Sequence, residues 1–568
     1  MNILDRKKLI GCASGKTEPD FVLKNATIAD VFTETLFRGD VAVLGDRIAG
    51  VGRYSAAREI DCTGRIVAPG FIDAHTHLES SMTSPSRLAP VLLAHGTTAV
   101  IADPHEIVNV CGPEGIRWMM RDSAKTPLDV FFALPSCVPL SKNDHNGAVF
   151  SAADMKKLRS NPHVSGLGEV MDPDGVAAGD ESLLEKIELM QDGTIDGHAP
   201  GVTGKQLQAY RAAGVQTDHE CSTWDEALER LRAGFIVQVR EGSAAKNLET
   251  ILRGALRAGV SFDRFVFCTD DVHLDDTKTN GHIDRNIRMA AALGVKPVTA
   301  IKMATLNAAR AYGLRGRGAV APGFLADLVV LDDLETFAVH DVYKSGVPLK
   351  NLPTEFRRTP AGRRLTHSVK VPDLPKNCFR MEASPVFPVI GIVPGQITTE
   401  KLMLPLPGDS GVFTPADDIL KIAVVQRHDG SGRIGVGAVK GFGLKNGAAA
   451  STVGHDAHNL IVIGDNDADM LAAVEELKAC GGGYTLVRGG KSVKTIRLEM
   501  AGLFTDCGTV DLPKELKEMS VLAHGMGVPE NIDVFQNLSF LSLPVIPALR
   551  ITDCGVYDVA LRKFLPLL

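Results

Sequence analysis

From Phe71 to Val272, short apolar runs alternate with helical stretches. The runs are FIDAHTHLE (71–79), TTAVIADPHE (97–106), DVFFALPSCV (129–138), HVSGLGEVM (163–171), TIDGHAP (194–200), VQTDHECS (215–222), GFIVQVREGS (234–243) and RFVFCTDDV (264–272). Helical patterns lie between them, at 86–95, 181–191, 204–213, 223–232 and 245–258. Strands that alternate with helices pair in parallel, because each crossover helix returns the chain to the same end of the sheet. Eight such units over roughly 240 residues match a (β/α)8 barrel, for which about 250 residues is usual. The expected fold is α/β, with a TIM-like barrel over residues 70–317.

The barrel leaves both ends of the chain unexplained. FVLKNATIADV and GDVAVLGDRIAGVG, within 21–68, alternate and break at Gly and Asp as hairpins do. After the helical VTAIKMATLNAARAYGL (298–314), the segment GAVAPGFLADLVVLDD (318–333) returns to the same texture. Residues 1–69 and 318–375 are therefore expected to form one discontinuous small β domain, ending in a Pro- and Arg-rich linker near 350–375. Residues 376–568 read as an extra C-terminal α+β domain, with the amphipathic helix DADMLAAVEELKA at 467–479.

Apolar residues at 45% and charged residues at 23% exclude global disorder. The 61 basic and 68 acidic side chains give a formal net charge of -7, with no Lys/Arg run, which speaks against a nucleic-acid partner. No apolar run approaches the roughly 18 residues of a membrane span, and residues 1–20 carry no apolar export segment. The ten cysteines, Cys12, Cys62, Cys111, Cys137, Cys221, Cys268, Cys378, Cys480, Cys507 and Cys554, are scattered and none forms a C-x-x-C pair. They read as buried thiols of a reducing compartment, so a cytoplasmic location is expected. Symmetric homo-oligomers are the default for a large chain of this kind, so a dimer or tetramer is expected.

Catalytic groups of such barrels sit at the C-terminal ends of the strands. Those ends carry metal-ligand residue types here. The first run holds His75 and His77, which alternation places on one face. Glu169 ends the fourth run, His198 the fifth, His219 the sixth and Asp270 the eighth. Each residue alone is unremarkable as a ligand, and H-x-H is a weak signal. Together, four imidazoles and two carboxylates on one rim would hold one or two divalent ions.

The text APGFIDAHTHLES followed by these strand ends resembles the amidohydrolase superfamily. More narrowly, HTHLESSM, GTTAVIADPHEI, GLGEVM, DHE, REGSAAKNL, CTDD and the C-terminal GFGLKNGAAASTVGHDAHNLIVIGDNDADM resemble the adenine deaminase family. The resemblance implies hydrolysis of adenine to hypoxanthine and ammonia in purine salvage. It implies a small-molecule purine as partner and two ions, Mn²⁺ or Fe²⁺, although the ligands would also accept Zn²⁺. His75 and His77 match the first-strand ligands, Glu169 the carboxylate bridging two metals, and His198 and His219 the second ion's ligands. Asp270 matches the aspartate that binds metal and handles protons, and His105 a histidine near the substrate.

Deamination needs a group that takes a proton from water and passes it to the exocyclic nitrogen, since an amide anion does not leave. Asp270 is the first choice and His105 the second; His105 could instead orient its loop. Asp271, Glu79, Glu106, Asp218 and Glu220 lie beside the ligands as candidate orienters. Ser243 either lines the pocket or caps a helix. His455 and His458, in STVGHDAHN, either reach the barrel mouth and shield the purine or belong to a turn within their own domain. Two competing readings stand beside this one. A hydrolase of a cyclic amide or of a different aminopurine or aminopyrimidine would share the barrel, but many such enzymes bridge their metals with a carboxylated lysine where Glu169 stands. A metal-free scaffold would have lost a ligand.

Overall fold

A computed structural model describes residues 2–140, 144–243, 245–394, 396, 398–506 and 511–565; Cys507 lies outside them. All eight runs form strands, here labelled β1 (Phe71–Thr76), β2 (Thr97–Ala102), β3 (Asp129–Leu134), β4 (Val164–Val170), β5 (Thr194–Gly197), β6 (Thr217–Asp218), β7 (Ile236–Arg240) and β8 (Phe265–Cys268). The first five pair in parallel in chain order, and so do the last three. Backbone hydrogen bonds close the two sheets into a barrel. Gln216 N–H donates to Ile195 at 2.9 Å, and Asp270 N–H donates to His75 at 3.0 Å on the other seam. His77 N–H then donates to the Asp270 carbonyl at 3.1 Å, so the ring closes at the first and last ligands.

β6 is only two residues long, yet its loop carries His219. A buried strut holds that loop. Arg230, on the helix Trp224–Ala233, donates to Asp218 Oδ2 at 2.8 Å and to the Ala199 carbonyl at 2.6 Å. Asp218 Oδ1 accepts from the N–H groups of Ala199 and Glu220. The loops bearing His198 and His219 are thus pinned by one guanidinium. The helix itself starts with a capping box between Thr223 and Glu226 and stops at Gly234 (φ 86°), where a left-handed residue is needed.

Residues 21–69 and 328–348 share one eight-stranded sheet. Its seam pairs Ile66–Pro69 antiparallel with Leu328–Leu331, Leu328 opposite Pro69. The stretch near 350–375 packs on the barrel: Trp118 Nε1 donates to the Thr359 carbonyl, and Thr359 Oγ1 donates to Asp122 at 2.6 Å.

The C-terminal region contains an eight-stranded sheet with Ile419–Val425 among its inner strands. That strand is buried on both faces, as its apolar text predicts, and its one charged residue, Lys421, is paired with Asp467 at 2.6 Å. Ile419, Ala423 and Val425 pack in one core with Met470 and Ala473 of the helix Asp467–Cys480. Leu420, Ile422 and Val424 belong instead to a core that continues into the barrel helices at Ile116 and Trp118. Period-two alternation therefore makes this one strand the wall between two cores. No helix among the described residues is long and apolar enough to cross a membrane.

Candidate metal centre

Glu169, near the end of β4, organises the rim. Its Oε1 lies 2.9 Å from His77 Nε2 and 3.1 Å from His75 Nε2. Its Oε2 lies 2.7 Å from His198 Nδ1 and 3.6 Å from His219 Nε2. Asp270 Oδ1 completes the first group, 3.0 Å from His77 Nε2 and 3.7 Å from His75 Nε2. The two groups, His75–His77–Glu169–Asp270 and Glu169–His198–His219, share only the glutamate. All six expected ligand residues therefore meet, and the carboxylate presents one oxygen to each set.

The residues fit a divalent ion by their chemistry. Glu169 Oε1 is fully buried and accepts no hydrogen bond, which is costly for a carboxylate unless a cation balances it. His77 Nδ1 donates to the Asp103 carbonyl at 2.9 Å, which leaves the Nε2 lone pair for a metal. Imidazole nitrogens and carboxylate oxygens suit Mn²⁺, Fe²⁺ or Zn²⁺. Burial opposes charge on His75, but Asp196 and Glu169 outweigh it and push the imidazole up to about 10: the cluster attracts positive charge.

Strand geometry aims these groups. Asp270 has left-handed backbone (φ 61°), rare for a residue with a side chain and strained unless its surroundings hold it. Its backbone bonds to His75 and His77 supply that hold. Gly168 lets Asp103 approach β4, where Asp103 Oδ2 accepts from the Glu169 N–H at 2.8 Å. A Cβ at 168 would stand 2.2 Å from that oxygen. Gly168→Ala is expected to displace Asp103 and weaken metal binding about 10–100-fold, as loss of an orienting partner does. Metal titration of the purified variant checks this; unchanged affinity would show that Asp103 does not orient Glu169.

Arg240, at the end of β7, was not assigned a role from sequence. Its Nη1 donates to Glu220 Oε1 at 2.5 Å and to Asp270 Oδ2 at 2.6 Å. One Asp270 oxygen is thereby held by a guanidinium while the other faces the imidazoles. Parity along the strand signals this: Gln238, two residues earlier, points into the barrel and donates to the Ala74 carbonyl.

The other candidates fall into two groups. His105 sits against His77, with ring centroids 4.6 Å apart and its Nδ1 3.9 Å from Glu169 Oε1. Ser243 is engaged elsewhere: its hydroxyl donates to Asp276 and accepts from the His273 N–H at 2.9 Å. His455 and His458 reach the rim from the C-terminal domain and grip Glu106. His455 Nδ1 is 2.7 Å from Glu106 Oε1, and His458 Nε2 contacts Oε2. Because His458 Nδ1 accepts from the Gly454 N–H, its proton lies on Nε2 and points at Glu106. Of the candidate orienters, Glu79 Oε1 accepts from the Ile107 N–H and Asp271 accepts from Ser80 Oγ.

This latch has a pH signature. Burial opposes charge on His455, but Glu106 outweighs it and pushes the imidazole up to about 9. The folded value is raised above the ordinary ~6.5. Its contribution to stability is therefore full below about 6.5 and lost as pH rises through about 9. The difference in Tm between the native chain and His455→Gln is expected to shrink over that window. A difference that stays constant from pH 6 to 10 would show that the pair is not ionic. In folded protein, His455→Ala and His458→Ala are each expected to lower kcat/KM about 10-fold through Glu106.

The amidohydrolase family model matches residues 66–349, and the adenine deaminase C-terminal domain model matches residues 396–563. The adenine deaminase of Nitratidesulfovibrio vulgaris (strain DP4) is 45% identical, covering 98% of this chain and 98% of its own. That of Desulfitobacterium hafniense (strain Y51) is 44% identical over 100% of this chain and 99% of its own. A solved adenine deaminase structure aligns with 58% of this chain and 99% of its own, at 18% identity and a TM-score of 0.45.

Proposed function

The chain belongs to the adenine deaminase family of amidohydrolases, and from that premise we propose that it hydrolyses adenine to hypoxanthine and ammonia. The observation that carries the reading is the division of Glu169's two oxygens between two sets of ligands. That arrangement supports a two-ion site, and the reading takes Mn²⁺ or Fe²⁺ as the ions, held by His75, His77, Glu169, His198, His219 and Asp270. Bound there, divalent ions would supply Lewis acidity and lower the pKa of water.

The protein's own groups do the rest. Asp270 Oδ1 is the metal-facing oxygen of a carboxylate whose Oδ2 is fixed by Arg240. It accepts a proton from the attacking water as the oxygen adds to C6. It then returns that proton to N6, so that nitrogen leaves as ammonia and the C6 oxygen remains in hypoxanthine. His105, against His77 on the rim, donates to the developing charge on the ring. Glu106 holds His105 at 3.4 Å and is itself held by the C-terminal latch, so the second domain positions a rim residue and helps shield the base from water. The reading retains a cytoplasmic protein and a homodimer or homotetramer.

The test is an ammonia-release screen over adenine, other aminopurines and aminopyrimidines, with ring opening of cyclic amides followed by absorbance and metal analysis on the same preparation. Adenine should give the highest kcat/KM, with two ions per subunit. Faster turnover of any other compound would replace adenine as the substrate.

A further inference from the structure

A cavity lies between the barrel rim and the C-terminal domain, lined by Glu79, Glu106 and Asp271 on one side and His455, Gln536 and Phe540 on the other. It abuts the metal ligands. Asp271 follows Asp270 in the chain, and Glu106 Oε1 is 3.4 Å from His105, which touches Glu169. Gln536 and Phe540 also line a second, larger cavity bounded by Lys246 and Thr398, so they stand between the inner space and the outer one.

Most polar groups around the inner cavity are engaged. Both Glu106 oxygens face imidazoles, and Ser80 Oγ donates to Asp271. Gln536 differs. Its backbone N–H is bound by Asp533 Oδ1 at 2.9 Å, which fixes the start of the helix Val534–Leu541. Its side-chain amide has no hydrogen-bond partner among the described residues. Phe540, one turn on, stacks on His455 with centroids 4.8 Å apart and planes 23° from parallel, giving the cavity a flat aromatic wall.

A primary amide presents a donor and an acceptor side by side. On a purine whose C6 faces the metal ligands, the atom across the six-membered ring is N3, an acceptor, and next to it is N9–H, a donor. That edge complements the amide. We propose that Gln536 reads the N3/N9–H edge of the free base, its NH₂ donating to N3 and its carbonyl accepting from N9–H. The assignment rests on the purine reading above. It makes Gln536 the residue that selects a base over a nucleoside, because substitution at N9 removes the proton and leaves the amide carbonyl unpaired.

Hypoxanthine and 9-methylhypoxanthine, which share the C6 oxygen and differ at N9, test this by calorimetric titration into the metal-loaded full chain. The native protein should bind hypoxanthine at least about 10-fold tighter, the discrimination of one good paired contact. Gln536→Met should narrow that ratio to about threefold or less by weakening hypoxanthine more than its 9-methyl analogue. Gln536→Glu keeps the acceptor for N9–H and loses the donor to N3, and should weaken both ligands with the preference for hypoxanthine kept. Equal binding of both ligands by the native protein, binding of neither, or a native ratio in Gln536→Met overturns the assignment. Where Gln536→Met fails to fold, a native ratio in Gln536→Leu overturns it. Neither ligand is turned over, so absence of adenine deamination would remove the reaction and leave this edge reading standing or falling on its own ratio.

Discussion

Glu169→Gln is expected to retain one ion or fewer per subunit and to lose most deaminase activity. The native carboxylate faces His75 and His77 with one oxygen and His198 with the other. An amide has a single good acceptor oxygen and no negative charge to offset two divalent cations. Its NH₂ would also point a donor at imidazole nitrogens that must offer lone pairs. The variant should fold, because the backbone bond to Asp103 is untouched. Metal titration and activity read together decide it. If native activity saturates at one equivalent and Glu169→Gln binds that equivalent normally, the two-ion arrangement is wrong. A glutamate also needs no reaction with carbon dioxide to become a bridge, so reconstitution should not depend on bicarbonate.

Asp270→Asn should cut kcat by about 10² to 10⁴-fold while retaining part of the metal, the range for removal of a proton-transfer group. The asparagine can present Oδ1 to the metal side but cannot accept the proton there. It also places an NH₂ or an uncharged oxygen against the Arg240 guanidinium, which now contacts Asp270 Oδ2 at 2.6 Å. Arg240→Lys separates the two roles. If Asp270 only binds metal, metal content and kcat should fall together in both variants. If it moves the proton, Asp270→Asn loses far more kcat than metal, whereas Arg240→Lys shifts the pH profile. A kcat within a few-fold of native in Asp270→Asn would assign the proton to another group.

The proposed metal ligands are legible in the text because a barrel converts sequence order into angular order. Each short run delivers its last residues to the same rim, so His75, His77, Glu169, His198, His219 and Asp270 can be placed together from local pattern alone. Arg240 is legible by the same parity, but REGS draws attention to Ser243, whose hydroxyl the structure engages with Asp276. The rest of the cavity is partly legible: STVGHDAHN offers His455 and His458 to the barrel mouth, but Glu106 and His455 are 349 positions apart, and neither segment names the other as its partner. Gln536 lies on an ordinary short helix capped by Asp533, and only the packing of one domain on another brings it into the lining of the cavity. The linker-like text near 350–375 misleads for a similar reason: its main-chain carbonyl at Thr359 is bound by Trp118, a contact that composition cannot reveal.

The shared core and the grip on Glu106 bear on how chains like this one can be recombined. Ile422 and Trp118 sit in one apolar cluster, and His455 and His458 close on a carboxylate of the other half. A chimera that joins this barrel to a relative's C-terminal half must therefore match at two places at once, the apolar seam and the histidine pair. Exchange of either half is expected to cost activity unless both matches are kept, even where no exchanged residue touches a proposed metal ligand.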